Sequence, residues 1–286
     1  MSLYRTGTRV VRQCRSALPP VQAQTKRGVV KKLPIILLLG LAAFAVLADG
    51  DYSACFIPGE ITEYKVSWMG IPLAWSKNTT DAIEENGRKL IRIRTVSKSY
   101  KAYGKIYKVD DIKEVIIDPE TGLPVRIDLQ MNEGSIHKSE LTLFDHANQT
   151  ALFHDRLANT TNSVAIASQT RDVVSFLYSM RNEKPEMLAA NTHTLFAGGK
   201  LYDMGLAIRK EGRIKVPGYG KVDCILMEPI AEFDGLFLRK GKVFFWISKQ
   251  NCSMITCIQA KVPVGKIKVK LQTVSGTGDD FWDKNE

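Results

Sequence analysis

Between Cys55 and Ser275 the chain is a succession of short runs with a side-chain period of two, each closed by turn residues, and that rhythm constrains the fold more than any other feature. In Arg88–Val96 (RKLIRIRTV) Leu90, Arg92, Arg94 and Val96 alternate with Lys89, Ile91, Ile93 and Thr95, as a strand with one wet face requires. Glu63–Trp68 alternates in the same way, Met69-Gly70-Ile71-Pro72 turns, and Leu73–Ala82 returns, which predicts an opening hairpin. Further along, VDDIKEVIID and PVRIDLQM flank Pro119-Glu120-Thr121-Gly122, where Pro119 presets φ and Gly122 accepts a positive φ. Turns at Glu133-Gly134 and Asp145–Gln149 extend the meander, and strand patterns resume in HTLFAGGKLYDMGLAIRK, VDCILMEPI, KVFFWISK, SMITCIQAKV and GKIKVKLQTV. One stretch breaks the rhythm. Over Gln169–Glu183, Val173, Phe176, Leu177 and Met180 fall at helical spacing, with Ser168 or Thr170 placed to cap and Asp172 and Arg181 complementing the helix dipole. The expected fold is therefore mainly β, an antiparallel sheet in one domain with one amphipathic helix packed on it.

Charge is distributed unevenly. The formal net charge of +10 comes from 40 basic and 30 acidic residues, but residues 1–48 hold eight of the basic ones (Arg5, Arg9, Arg12, Arg15, Lys26, Arg27, Lys31, Lys32) and no acid. The remainder is nearly neutral, so a nucleic-acid role is disfavoured and no nucleic-acid partner is expected. Leu33–Ala48 (LPIILLLGLAAFAVLA) is uncharged and, as a helix, reaches about 24 Å, short of a hydrocarbon core of roughly 30 Å. It reads as a signal-peptide core with cleavage after Ala48, the alternative being an uncleaved anchor that would supply the only membrane contact. Translation from near Val29 or Val30 would give that leader ordinary proportions. The expected organisation is a basic leader and signal peptide over 1–48, a β-rich domain over 49–275 and a polar tail over 276–286. Cys55 lacks a lipoprotein context, with Asp49 and Asp51 before it and Tyr52 where an aliphatic residue is wanted. Cys55, Cys224, Cys252 and Cys257 allow three pairings, none of which spacing selects, and buried thiols are favoured over a disulfide.

Several motifs in this order resemble the exported bacterial family called domain of unknown function 3108. They are PGEITEYKVSWMGIP (Pro58–Pro72), YKVDD (Tyr107–Asp111), IDPETGLPVR (Ile117–Arg126), LFD (Leu143–Asp145), VVSFLYSMR (Val173–Arg181) and RKGKVFFWIS (Arg239–Ser248). The chain departs from the family at KQNCSMITC, with Asn251 in the turn and Ile255 where a proline is usual. The resemblance implies an exported protein of the periplasm or envelope of a Gram-negative-type bacterium. By fold analogy with periplasmic lipoprotein carriers it also implies a strongly curved sheet, a half-barrel wrapped around the helix.

Catalytic motifs are sparse. There is no G-x-S-x-G elbow, P-loop or Rossmann fingerprint, and Asp110-Asp111 and Glu84-Glu85 are strand neighbours that point to opposite faces. His137, His146 and His154 fall in one predicted hairpin near Asp145 and Asp155, which reads as a polar face and not as a zinc site; no metal or cofactor is expected. Aromatic residues are the suggestive set. A gap between helix and sheet would suit an acyl chain or another hydrophobic envelope ligand, with Trp68, Tyr178 and Trp246 as pocket residues and Arg181 as headgroup partner. The leading expectation is a non-enzymatic carrier or binder of a hydrophobic small molecule or lipid. The alternatives are a module that presents its sheet to an envelope protein and, last, a cell-wall or polysaccharide hydrolase.

Overall fold

A computed structural model describes residues 52–104, 107–230, 242–250 and 253–276. The leader and its cleavage site, Asn251, Cys252 and the tail beyond Gly276 lie outside the described residues. The strands are β1 (Ile61–Trp68), β2 (Ile71–Glu85), β3 (Arg88–Ser99), β4 (Asp110–Asp118), β5 (Leu123–Glu133), β6 (Ile136–Asp145), β7 (Thr150–Asp155), β8 (Thr160–Ala165) and β9 (Arg171–Asp172). Helices α1 (Val173–Ser179) and α2 (Pro185–Ala190) follow, then β10 (His193–Ala197), β11 (Lys200–Val216), β12 (Gly220–Ile230), β13 (Val243–Ser248), β14 (Ile255–Lys261) and β15 (Lys266–Ser275).

Among the described residues these strands form one sheet in the order β8-β7-β6-β5-β4-β3-β2-β1-β15-β14-β13-β12-β11-β10-β9. Consecutive strands lie side by side except β8 and β9, which stand at opposite ends of the order, and the two runs are joined at one seam, where β1 pairs antiparallel with β15 from Ile61↔Ser275 to Trp68↔Ile267. The ladder is antiparallel apart from the two-residue contact of β9 with β10. Turn chemistry accounts for the hairpins. Gly122 sits at φ +66° with its N–H donating to Asp118 O at 2.8 Å, and Asp118 Oδ1 accepts from Glu120 N.

The expected half-barrel is not present: the sheet is neither closed nor strongly curled, and its end strands β8 and β9 do not pair with each other. The physical reason lies in the helix. A wrapped sheet needs an axial rod, whereas α1 has seven residues, about 10 Å. Asp172 stops it early by taking the N-cap, accepting from Val174 N and Ser175 N while Ser175 Oγ accepts from Asp172 N, so Ser168 and Thr170 do not cap it. Asp172 also receives Lys113 Nζ at 2.7 Å; burial alone would raise its pKa, but Lys113 and the Ser175 bonds hold it below the usual carboxylate value. At the other end Met180–Asn182 tightens into a 3₁₀ turn and Pro185 begins a second helix that the sequence reading did not anticipate.

The short helix nevertheless serves two clusters. Phe176 and Met180 pack with Leu195, Met204, Met227, Phe245 and Ile247, while Tyr178 packs with Phe56, Ile91, Ile93, Val115 and Ile117. A third cluster holds Trp246 with Val216, Cys224, Cys257 and Leu271. There the Trp246 ring lies so close over Gly212 that a methyl group at that position would sit 2.8 Å from it. Gly212→Ala should therefore cost about 1–3 kcal/mol of overpacking, read as a lower urea midpoint with an unchanged m-value.

Candidate functional site

Glu60 precedes β1 and is fully buried, and it faces Arg181 at the end of the helical segment. Both guanidinium ends engage it, Nη1 to Oε2 and Nη2 to Oε1 at 2.8 Å each, while Nη1 also donates to Cys55 O at 3.3 Å. The side chains of Arg181 and Glu60 are 6% and 0% exposed, so neither charge can be offset by water and each depends on the other. The guanidinium also lies 4.0 Å from the centroid of the Tyr178 ring, which stacks parallel to Phe56 at 6.0 Å. Cys55 Sγ donates to Ser179 O. Two of the motifs that carried the family resemblance, Pro58–Pro72 and Val173–Arg181, thus meet at one bidentate ion pair.

Beside this pair is a cavity of about 140 Å³ lined by Tyr64, Ser76, Asn78, Leu177, Tyr178, Arg181, Ile255, Ile258 and Val269. Its polar side is largely self-satisfied: Tyr64 OH donates to Ile255 O, Ser97 Oγ donates to Ser76 Oγ, and Asn78 is held between Thr62 and Thr95. Tyr178 OH is the exception: it is buried, and although the Thr80 and Thr62 hydroxyls lie near enough to lower its pKa, neither makes a hydrogen bond of good geometry with it. Burial pushes the Tyr64 and Tyr178 phenols well above their ordinary pKa, with Arg181 acting in the opposite sense, so both remain protonated donors at neutral pH. A second, wholly apolar cavity of about 90 Å³ lies against Val173, Phe176, Leu195, Met204 and Phe245 and shares Leu177, Ile255 and Ile258 with the first. The two spaces form a gradient from polar to apolar across a wall of three aliphatic side chains.

Of the residues expected at a pocket, the structure brings together Tyr178 and Arg181. Trp246 lines neither cavity, because its neighbour Phe245 takes the cavity side of β13 and successive strand residues face opposite ways. Trp68 stands exposed at the end of β1, donating to Val264 O at 2.8 Å. Glu60, Tyr64, Asn78 and Leu177 were missed. The signal for Glu60 was a lone acid directly before an alternating run, inside the first resemblance motif.

Other candidates are occupied by their own groups. A groove of about 460 Å³ at Arg88, Asp118, Phe144 and His146 has Arg88 paired with Asp118 at 2.8 Å and His146 Nε2 bonded to Pro124 O, with His146 Nδ1 buried and without a partner among the described residues. His137 and His154 bond separately, to Asn132 and to Thr161, so the three hairpin imidazoles do not converge. Cys224 and Cys257 are buried thiols. Near the β4–β5 end, burial and then a shared hydrogen bond and repulsion from Asp111 raise the Glu133 carboxyl from 4.5 to about 7.

Residues 63–272 match the family model described as protein of unknown function (DUF3108). No curated protein matches the chain. Among solved structures, the chain is similar to a β-barrel-like protein of domain of unknown function DUF1849 from Brucella abortus, at 9% identity and a TM-score of 0.48, over 77% of this chain and 98% of that one. It is also similar to a candidate lipoprotein from Parabacteroides distasonis, at 10% identity and a TM-score of 0.34, with the same coverage.

Two outcomes are expected. Glu60→Leu and Arg181→Met should each destabilise by about 3–5 kcal/mol, whereas the double variant loses far less than their sum, since removing both charges leaves neither uncompensated; chemical denaturation of the four proteins measures this. Glu133 keeps its proton in the folded state above the pH at which the unfolded chain releases it, so its contribution to stability is present below about 4.5 and is lost as pH rises toward about 7. Glu133→Gln should flatten the melting temperature across that window.

Proposed function

The chain belongs to the DUF3108 family of proteins of unknown function, and from that membership we propose that it is an exported envelope protein that holds one end of a hydrophobic or amphiphilic small molecule between α1 and the sheet. Export is supported by the leader: a basic stretch, a sixteen-residue apolar core and Ala48 before Asp49. No helix among the described residues is long and apolar enough to cross a membrane.

One observation carries the binding reading. Tyr178 OH is buried beside the Thr62 and Thr80 hydroxyls without a hydrogen bond of good geometry to either, and the Tyr178 side chain lines a cavity otherwise walled by self-satisfied polar groups and aliphatic carbon. The polar end of a ligand would accept from Tyr178 OH beside the neutralised Glu60–Arg181 pair, while its carbon skeleton meets Leu177, Ile255, Ile258 and Val269. Arg181 contributes by holding the Tyr178 ring and not as an unpaired cation. Size limits the guest. A space of about 140 Å³ matches the roughly 150 Å³ of an apolar cavity that admits benzene, so it takes a ring or a short stretch of acyl chain. A longer chain would have to turn Leu177 aside and run into the apolar cavity beyond, which favours recognition of a chain terminus over enclosure of a whole lipid.

Native mass spectrometry of the protein purified from a periplasmic extract tests this reading. The expected result is a copurifying adduct that denaturation releases and that Leu177→Trp, filling the shared wall, excludes from a protein that still melts cooperatively. A bare mass for the wild type, with added medium-chain amphiphiles leaving its melting temperature unchanged, would reject it.

A further inference from the structure

The ends of two neighbouring hairpins carry an exposed apolar group that neither the core nor the cavity uses. Met69 is 64%, Val264 67% and Ile71 46% exposed, with Trp68 beside them at 36%. The β1–β2 and β14–β15 turns are fastened together by Trp68 Nε1 donating to Val264 O and Met69 N donating to Lys266 O, and the Met69 side chain packs over Gly265. They form one built platform and not two loose loops.

Two features of this platform are unfavourable to folding. Met69 holds a left-handed φ of +50° in the first central position of a two-residue turn, a place better suited to Asn, Asp or Gly. The same chain uses Asn86-Gly87 and Gly198-Gly199 at its β2–β3 and β10–β11 turns. The second feature is charge. Lys65 stands directly opposite Lys270, and Lys261 opposite Lys266, both like-charge cross-strand pairs, with Lys268 between them in register. Cross-strand like charges are destabilising, and none of these five lysines makes an ion pair among the described residues. Lys77, Lys98 and Lys113 on β2, β3 and β4 each have a carboxylate partner; Lys89 and Lys200, which have no ion pair among the described residues, are not set opposite another lysine, while Lys215 faces Lys221 across β11 and β12. An exposed apolar tip and a basic ladder without ion pairs among the described residues therefore occupy the same end of the sheet, Lys261 alone having a ring contact, with Phe244.

We infer that this end docks the protein on an anionic lipid bilayer, with Met69, Ile71 and Val264 entering the headgroup boundary, the Trp68 ring at the interface, and Lys65, Lys261, Lys266, Lys268 and Lys270 facing the lipid phosphates. An apolar tip backed by lysines along one face of β1, β14 and β15 suits such a surface on both counts: the carbon leaves water, and the negative surface potential supplies counter-charge to the lysines. Tryptophan favours the interfacial layer because its ring is amphipathic. Along β1 the face that bears Trp68 leads through Val66 to Tyr64 in the cavity wall, four residues or about 13 Å of strand. Docking does not depend on the cavity having a ligand.

The test reads Met69 itself, because the basic leader of the full chain can adsorb to vesicles on its own. Hydroxyl-radical oxidation of the full-length protein is followed peptide by peptide, with Met187, 55% exposed on α2, as internal reference. Vesicles of phosphatidylcholine with 30% phosphatidylglycerol should slow Met69 oxidation at least threefold and leave Met187 unchanged, while pure phosphatidylcholine should protect Met69 much less. Lys266→Gln with Lys268→Gln, both on the exposed surface, should remove most of that protection without lowering the melting temperature. Equal oxidation with and without vesicles would overturn the proposal, as would equal protection of Met69 and Met187, or equal protection by neutral vesicles. Protection that grows with protein concentration in the absence of lipid would overturn it in favour of contact between copies of the chain.

Discussion

A carboxylate and a guanidinium cannot both leave water unless they meet, and the meeting of Glu60 with Arg181 sets the geometry around it. Glu60 comes immediately before β1, and Arg181 lies in the 3₁₀ turn that ends the α1 segment, 121 residues later. Their bidentate contact therefore fixes the distance between a sheet strand and the helix. It also fixes the angle of Tyr178, clamped between the guanidinium and Phe56, and with it the wall of the cavity. An ion pair so fully enclosed adds little net stability compared with well-packed carbon of the same shape. Its contribution is to make any other seating of α1 costly.

Much of the fold could be read from the pattern of residues, because antiparallel hairpins are local. Period two and turn chemistry located β3 and the β4–β5 hairpin with its Gly122 turn, whereas the run from His193 to Lys210 reads as one strand pattern and is in fact β10 and the start of β11, folded at Gly198-Gly199. What failed was global. Helical periodicity over Gln169–Glu183 concealed the early cap at Asp172 and the restart at Pro185, and a rod half as long cannot be wrapped, so the curved enclosure expected by analogy gives way to an open sheet.

The site was legible where one element supplied it and hidden where two did. Tyr178 and Arg181 share a helical segment, three residues apart, and spacing alone places them together. Trp246 and Phe245 are adjacent, and only the register of β13 between β12 and β14 decides which faces the cavity. Glu60 resembles an ordinary solvated acid until its distant partner is known. The tip at Met69 was correctly read as a turn, but its exposure and its lysine neighbours depend on the pairing of β1 with β15, which joins opposite ends of the described chain.

That seam has a kinetic corollary. On one side β1 to β8 and on the other β10 to β15 are meanders whose contacts are short-range and quick to form, whereas joining β1 to β15 closes a loop of nearly the whole domain and carries the corresponding entropy. No part of that join can begin until Lys266–Ser275 has emerged from the ribosome or reached its destination. A chain caught before that point would hold two half-sheets with the complementary edges of β1 and β14 bare, and those edges are where a chaperone, or a mistaken partner, would find it.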